Sequence, residues 1–572
     1  MKNSQLVGRK YKEKPAEAQV VSHIYLLRGG YMRLVSNGIY TLLPPALRIS
    51  QKIENIIRQE MDAIDGQEIK MPVVLPRELW DETGRYDSVR EELLRFKDRT
   101  NHGMLLAMTH EEAVTAVART EMTSYKDFPF MLYQIQTKFR DEARSRAGLI
   151  RVREFTMKDA YSFHRTQEDL EKYYARCATA YHRIYARCGI PEVVAIEGDN
   201  GMMGGKVSHE YDLICDAGED KIVKCSKCSY VANAEVGTSG QLHYSNEEAK
   251  DLEEVHTPNT KTIEDVCALL DIKPEQTAKM VFYVTDSGKI VAVTIRGDIE
   301  VNECKLAKVL KETFQFANDE QIASIGAVPG FASGIGLHDC IQVVDNSVAN
   351  TSNLVCGANK ENYHLRNFNL SRDVPDAIVA DIALVQEGEK CPKCGAPLNM
   401  VRGIEVGNIF QLGQFYTKSM HMTYTDENGQ EQTPIMGCYG IGVGRTLASV
   451  IEARHDDYGP IWPLSIAPWQ VQINALQMDK DGIKDTADKL YEDLTRAGVE
   501  VLYDDRNLST GVQFAEADLM GIPLRLIVAP KALANGTIEY KVRGTDIKGV
   551  IPVNEVTDFV KNWIAEEMKK YI

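Results

Sequence analysis

Four of the chain's cysteines stand in two C-x-x-C pairs, Cys225/Cys228 in KCSKCSY and Cys391/Cys394 in KCPKCG. Thiolates at that spacing form zinc knuckles, and two knuckles close a tetrahedral S4 site of structural type. The pairs are 163 positions apart, so they meet only if a domain is inserted between them. A metal-free remnant of such a site fits the same letters. A second group is cationic: Lys138 to Arg165 holds eight basic and four acidic residues in a chain of net charge −16. This local excess suits an anion, although a solvated, salt-bridged hairpin has the same composition. A third is the run LAMTHEEA, Leu106 to Ala113, where Thr109 can cap a helix and Glu111 stand as its N-terminal carboxylate. Other clusters carry no motif. GIGVGR, Gly440 to Arg445, lacks G-x-G-x-x-G spacing, no P-loop occurs, and His110-Glu111 and His209-Glu210 lack the second histidine of H-E-x-x-H.

Hydrophobic periodicity predicts the helices and strands that carry these groups. Ile49, Ile53, Ile56, Ile57, Met61 and Ile64 recur at spacings of three and four, which predicts an amphipathic helix over 47–64. An extended run follows, Glu68 to Leu75, in which Pro72 suits a sheet edge or subunit boundary. Phe130 to Tyr161 reads as a long hairpin whose second arm runs from Leu149 to Met157 beyond a loop carrying Gly148. Between about 224 and 398 the chain has its own strands, from Lys279 and from Lys289, as an inserted domain would. GIEVGNIFQLG and GCYGIGVGRTLASVIE then read as strand, Gly-rich turn and helix. Beyond 466, extended runs (VQINALQ, VEVLYDD, LRLIVA) alternate with helices over 486–496 and 556–568, the pattern of a small α/β domain.

At 572 residues the chain has room for three or four domains. With 44% apolar and 26% charged residues it is an ordinary globular composition, and twelve cysteines are too few for a disulfide scaffold. No apolar run is long enough to span a membrane and no secretory h-region opens the sequence, so the expected location is cytoplasmic, with no membrane partner. The acidic balance excludes a protein that coats nucleic acid by bulk charge.

Taken in order, the helix and strand ending at Pro72, the segments TKFRDE through VREFTMKDAYSF, and GCYGIGVGRTLASVIE resemble motifs 1, 2 and 3 of the class II aminoacyl-tRNA synthetases. With the T-H-E loop and the insertion, nearly the whole chain resembles the prolyl-tRNA synthetases of bacterial type. The resemblance implies an α+β multidomain protein: an antiparallel sheet flanked by helices (1–223 and 399–465), an inserted α+β editing domain (224–398) and a C-terminal α/β anticodon-binding domain (466–572). It implies a homodimer that uses ATP and Mg2+ to activate proline, charges tRNA(Pro), and hydrolyses mischarged alanyl-tRNA(Pro).

The family's site residues carry over position by position. Arg140 would bridge the α-phosphate and the substrate carboxylate, with Glu142 and Arg445 beside it in catalysis. Arg151 would reach the outer phosphates, while Phe155 and Arg445 would sandwich adenine. Permanently charged, forked guanidinium groups suit such anions. Glu405 would hold magnesium and Gln411 the ribose. Thr109 and Glu111 would take the secondary ammonium, with Ser208, His209, Glu210 and Cys438 around the pocket and His110 orienting its loop. Asn408 departs from the family, where many relatives carry histidine. A cup for proline cannot strongly exclude alanine, since a missing methylene is worth only about 1–3 kcal/mol. Lys279, Asp345 and His364 match the editing site that answers this, although a lysine at a strand start is commonly just solvated. Arg144 and Arg146 would meet the acceptor end of tRNA and Arg506 the anticodon, a salt bridge or helix cap being the alternative for Arg506. Another subclass IIa synthetase, such as the threonyl enzyme, and a non-activating editing or regulatory protein on the same scaffold are the competing readings. A mere binder has no need of the ATP-binding arginines.

Overall fold

The structure is a computed structural model describing residues 1–89, 91–199, 201–205, 207–240 and 247–571. The chain forms two compact units. Unit 1 comprises Met1–Ala195, Asn200–Asp220 and Arg402–Ile572, and unit 2 comprises Ile196–Asp199 and Lys221–Val401.

Unit 1 is built on a sheet with strands β1 (Gly66–Glu68), β2 (Phe130–Phe139), β3 (Glu154–His164), β4 (Val207–Ile214), β5 (Leu398–Gly413, of which residues 402–413 belong to this unit) and β6 (Ile435–Gly442). Within this unit they run in the order β4-β5-β6-β3-β2-β1, all antiparallel except β1 with β2. Period-two alternation gives each strand two faces. One face, including Ala160, Tyr439, Ile441, Tyr211, Leu213 and Ile409, packs against helices α1 (Pro44–Asp62) and α3 (Gln167–Arg187). The other carries Tyr161, Phe163, Cys438 and Phe410, and is covered by Trp80, Met108, Tyr416 and helix α2 (Glu111–Glu121).

The helix expected over 47–64 is α1, with Ile49, Ile53, Ile56, Ile57 and Met61 all buried. It begins at Pro44 and Pro45, residues tolerated in a first turn whose N–H groups lack intrahelical acceptors. The expected strand Glu68 to Leu75 is broken instead. Gly66–Glu68 forms the sheet edge, and Val74–Pro76 joins a separate sheet with Gly103–Leu106. Pro72 lies in the break, where the missing N–H costs no ladder bond. The hairpin's second arm starts at Glu154 rather than Leu149. The residues before it are taken up by a turn in which Ala147 and Gly148 both have φ near +60°, and a Cβ on Gly148 would meet the His23 ring at 3.0 Å. No turn separates β6 from helix α4 (Val443–Ala453), because Gly442 passes directly from one to the other.

The C-terminal part of unit 1 has a five-stranded sheet. Val501–Asp504, Val471–Ala475 and Leu524–Val528 are parallel, and Thr537–Val542 and Lys548–Pro552 continue it antiparallel. The helix expected over 556–568 is present at Val556–Met568, and that over 486–496 starts earlier, at Ile483.

Unit 2 holds a five-stranded mixed sheet in which Ala278–Thr285 and Ile290–Arg296 are central. It also holds a three-stranded sheet of Glu253–His256, Tyr363–Phe368 and Leu354–Gly357. No helix among the described residues is long and apolar enough to cross a membrane.

Candidate active site

The buried face of unit 1 brings the T-H-E loop against β3 and β6. Thr109 Oγ1 donates to Glu111 Oε2, and both residues are buried. Glu111 opens α2 with no side-chain cap at His110, so the position is both a helix start and a carboxylate aimed into the fold. Burial pushes its carboxyl up to about 6, against the pull of the Arg85 guanidinium 3.8 Å away. Cys438 lies beside it, its thiol pushed up by burial and by the Glu111 charge. His110 is buried and held near pKa 4 by desolvation and by Lys138, so its ring is neutral at pH 7 and Nε2–H donates to Pro72 O at 2.9 Å. This bond ties the loop to the break after β1.

Beneath the loop, Asp159 accepts from Lys138 Nζ (2.7 Å), Gln134 Nε2 (3.0 Å) and Tyr161 OH (2.8 Å). Tyr161 OH in turn accepts the His110 N–H at 3.0 Å. All five residues are buried. Motif spacing singled out none of Gln134, Lys138, Asp159 or Tyr161. The signal for them is alternation, since Asp159 and Tyr161 share one face of β3 and register places Gly440 and Cys438 opposite them.

Arg140 and Arg445 come together at the edge of this cup. Arg140 follows β2, and its guanidinium lies 5.4 Å from the Phe155 ring centre, with Nε buried and unpartnered. Its pKa is lowered first by burial and next by the Arg445 charge. Arg445, in the first turn of α4, donates to Ile150 O (3.0 Å), Glu405 O (2.7 Å) and Glu405 Oε2 (2.8 Å). Glu405 is reached from the other side by Asn408 Nδ2 at 3.4 Å, and Asn408 Oδ1 accepts from Ser208 Oγ at 3.1 Å. Two like-charged groups held together in a half-buried recess are costly alone and favourable around an anion.

Residues 94–454 match the tRNA synthetase class II core domain (G, H, P, S and T), and residues 470–563 match the anticodon binding domain. A proline–tRNA ligase of Dehalococcoides mccartyi is 46% identical over 99% of this chain and 100% of its own. That of Moorella thermoacetica is 44% identical over the whole of both chains. The chain belongs to the proline–tRNA ligase family. A solved structure of prolyl-tRNA synthetase from Cryptosporidium parvum, complexed with L-proline and AMP, shares the fold. It is 14% identical, with TM-score 0.55 over 96% of this chain and 79% of that one.

For a proline–tRNA ligase, the remaining expected residues are placed unevenly. Arg151 is held by Glu142 (Nη2–Oε1 3.1 Å) and Glu219 (Nη1–Oε2 2.9 Å), and Arg146 also pairs with Glu219. Glu142 further accepts the Arg144 N–H at 2.9 Å, so it organises the motif 2 loop. Arg144 and Arg146 are exposed. Arg445, expected across adenine from Phe155, is hydrogen-bonded to Glu405. Glu210 shares the cup face with Ser208. His209 does not: it alternates to the helix side, where Nδ1 meets Tyr174 OH at 2.8 Å.

Gln411 is not brought to the site. Its Oε1 accepts from Gln167 Nε2 of α3 at 2.8 Å, on the helix face. Strict alternation would put Gln411 on the same face as Glu405. A bulge changes this, because Tyr211 opposes Gly407 while the next residue, Asp212, opposes Glu405; Val406 is thus the extra residue and inverts the parity. Asp212 itself was not anticipated. It is fully buried opposite Glu405, neither carboxyl oxygen has a partner, and desolvation with the Glu405 and Glu210 charges pushes it up to about 9.

Arg506 is engaged within the protein, by Asp504 (2.8 Å to each oxygen) and Glu516 (2.6 Å), which is the salt-bridge alternative. In unit 2, Lys279 Nζ pairs with Glu300 at 2.7 Å. Buried Asp345 accepts the N–H groups of Ser347 (2.7 Å) and Ile382 (2.9 Å). His364 Nδ1 meets Thr257 Oγ1 at 2.6 Å, and burial lowers the pKa of the ring.

The four cysteine sulfurs lie within 4.8 Å of one another, with Cys225–Cys394 at 3.5 Å and Cys228–Cys391 at 3.6 Å. A tetrahedron with Zn–S bonds of about 2.3 Å has edges of about 3.8 Å, so the set fits zinc. The N–H groups of Lys227 and Cys228 point at Cys225 Sγ, both at 3.3 Å, and lower that thiol to about 6, as a thiolate ligand requires.

Proposed function

We propose that this chain activates proline with ATP and transfers the prolyl group to the 3′ end of tRNA(Pro), through the recess between Glu111 and the Arg140–Arg445 pair. The observation that carries the assignment of residues is the placement of two guanidinium groups beside a buried carboxylate cup. A proline carboxylate oxygen attacks the α-phosphorus of ATP, the bond to pyrophosphate breaks, and prolyl-adenylate forms. A terminal ribose hydroxyl then attacks the activated carbonyl and AMP leaves. Arg140 would meet both anions, which would reduce their repulsion and offset the charge that builds at phosphorus. Arg151 would exchange its Glu142 and Glu219 contacts for the outer phosphates, and Arg144 and Arg146 would face the acceptor end. Glu405 would hold Mg2+, which supplies further neutralisation of phosphate charge. Cytoplasmic location and a homodimer joined through α1 and β1 belong to the same reading.

The test is amino-acid-dependent pyrophosphate exchange. Proline is expected to support it and threonine or glycine not to; exchange with threonine instead would remove the substrate assignment, and no exchange with any of them would remove activation.

Editing is proposed for unit 2 from the match of Lys279, Asp345 and His364. Lys279→Ala is expected to leave proline-dependent exchange within about twofold while deacylation of alanyl-tRNA(Pro) falls about tenfold or more, the scale of one lost charge-assisted contact. Unchanged deacylation would take Lys279 out of the editing site.

A structural zinc is proposed for the four cysteines. Metal analysis should find about one zinc per chain, and Cys228→Ser with Cys391→Ser should abolish it and loosen unit 2, since a closed site contributes its binding energy to folding. Proline-dependent exchange is expected to persist, and its loss together with zinc would mean the metal serves activation.

A further inference from the structure

Arg85 belongs to none of the expected groups, yet it sits at the back of the amino-acid cup. Its side chain is 3% exposed, with the guanidinium 4.6 Å from the Trp80 ring centre and 5.4 Å from that of Tyr416. Nη1 lies 2.8 Å from Glu112 Oε1 and 3.8 Å from Glu111 Oε2, and Thr83 Oγ1 also donates to Glu112 Oε1 at 2.9 Å. Glu111 and Glu112 are 1% and 0% exposed. Within salt-bridge distance, Arg85 is the only cation these two carboxylates have among the described residues.

One guanidinium against two buried carboxylates leaves a charge of −1. Glu112 takes the close contact, so the deficit falls on Glu111, whose remaining neighbours, the Thr109 hydroxyl and the Cys438 thiol among them, are uncharged. Nearby Lys138 is already neutralised by Asp159 at 2.7 Å, and Arg140 lies on the side where the substrate carboxylate would go. An uncompensated buried carboxylate is unfavourable by several kcal/mol, and the imbalance persists only where something supplies the missing cation.

We infer that Arg85 is a positioning residue for amino-acid recognition: by engaging Glu112 and holding Glu111 at one remove, it leaves the cup one positive charge short, and the substrate's ammonium group completes it. This rests on the proline-activating reading. It makes the cup select the cationic amine, and not only the ring, of its substrate. Without Arg85 the deficit would be −2, and a proton shared between Glu111 and Glu112 would weaken the acceptor that Glu111 presents to the ammonium.

The groups facing Glu111 are Arg85, Glu112 and, beside the Arg85 guanidinium, Tyr416, with Thr109 from its own loop and Cys438 and Tyr161 from the sheet. Lys138 and Arg140 act from farther off. Arg85 favours the ionised form, so binding of proline weakens as pH falls through about 6 in the wild-type protein and at higher pH once Arg85 is removed.

The experiment uses the full chain, with proline KM, ATP KM and kcat from pyrophosphate exchange between pH 5.5 and 8.5, and inhibition by cyclopentanecarboxylate, which has the ring and carboxylate but no amine. Arg85→Met is expected to raise the proline KM about 30-fold or more, with ATP KM within threefold. It should move the acidic limb up by at least one pH unit and reduce the preference for proline over cyclopentanecarboxylate about tenfold. Arg85→Lys keeps the charge and should retain the wild-type limb and preference. The inference is overturned if Arg85→Met leaves the limb and preference unchanged, or if Arg85→Lys, folded by thermal melting, loses both. Absence of proline-dependent exchange in the wild-type protein would instead overturn the functional reading beneath it.

Discussion

Arg140→Ala is expected to lower proline-dependent pyrophosphate exchange by about 10²–10³-fold, with little change in unfolding midpoint. The magnitude is that of removing one preorganised donor aimed at developing charge. The direction follows from placement. Arg140 Nε is buried without a partner, the neighbouring Arg445 makes its charge harder to keep, and no carboxylate of the protein lies within salt-bridge distance of it among the described residues. A guanidinium kept in that state contributes little to stability and much to an anionic ligand. Arg445 differs, since it also ties Ile150 O to Glu405. Arg445→Ala should therefore lower both exchange and stability. Equal loss of stability in the two variants, measured by urea unfolding, would show that Arg140 is structural.

Asp159→Asn is expected to destabilise unit 1 by about 3–5 kcal/mol, the usual cost of breaking a buried charge pair from one side. Lys138 would be left buried without its counter-ion, and Gln134 and Tyr161 would lose part of a shared acceptor. All four tryptophans, Trp80, Trp462, Trp469 and Trp563, lie in unit 1, so their fluorescence follows that unit through a urea titration. Adding Lys138→Met to Asp159→Asn removes the stranded charge and should recover most of the loss, the double-mutant cycle measuring the coupling. Additive losses would mean that the pair is not what holds the T-H-E loop to β3.

The broad fold was legible in the chain because its cues are local. The spacing of Ile49, Ile53, Ile57 and Met61 needs only the 3.6-residue period to become α1. The apolar runs of the C-terminal region need only length and turn signals to become strands. The candidate ligand groups were legible in two ways: thiolate chemistry restricts residue type, so the two C-x-x-C pairs stand out by themselves, whereas Arg140 and Glu111 were marked by the resemblance of their segments to family motifs.

What sequence could not supply is parity and partnership. Counting along β5 places Glu405 and Gln411 together, and a single extra residue at Val406, forced by the pairing with Tyr211 and Asp212, turns Gln411 to the helices. Arg506 and Arg85 have the same side chain, but one is closed off by Asp504 and Glu516, whereas the other is shared between Glu111 and Glu112. Alternation and residue chemistry are properties of a segment, and the sequence alone determined the family, the main elements and the candidate groups. A bulge, or the partner of a buried charge, depends on which distant segment lies opposite, so the tertiary structure decided which of those groups face one recess.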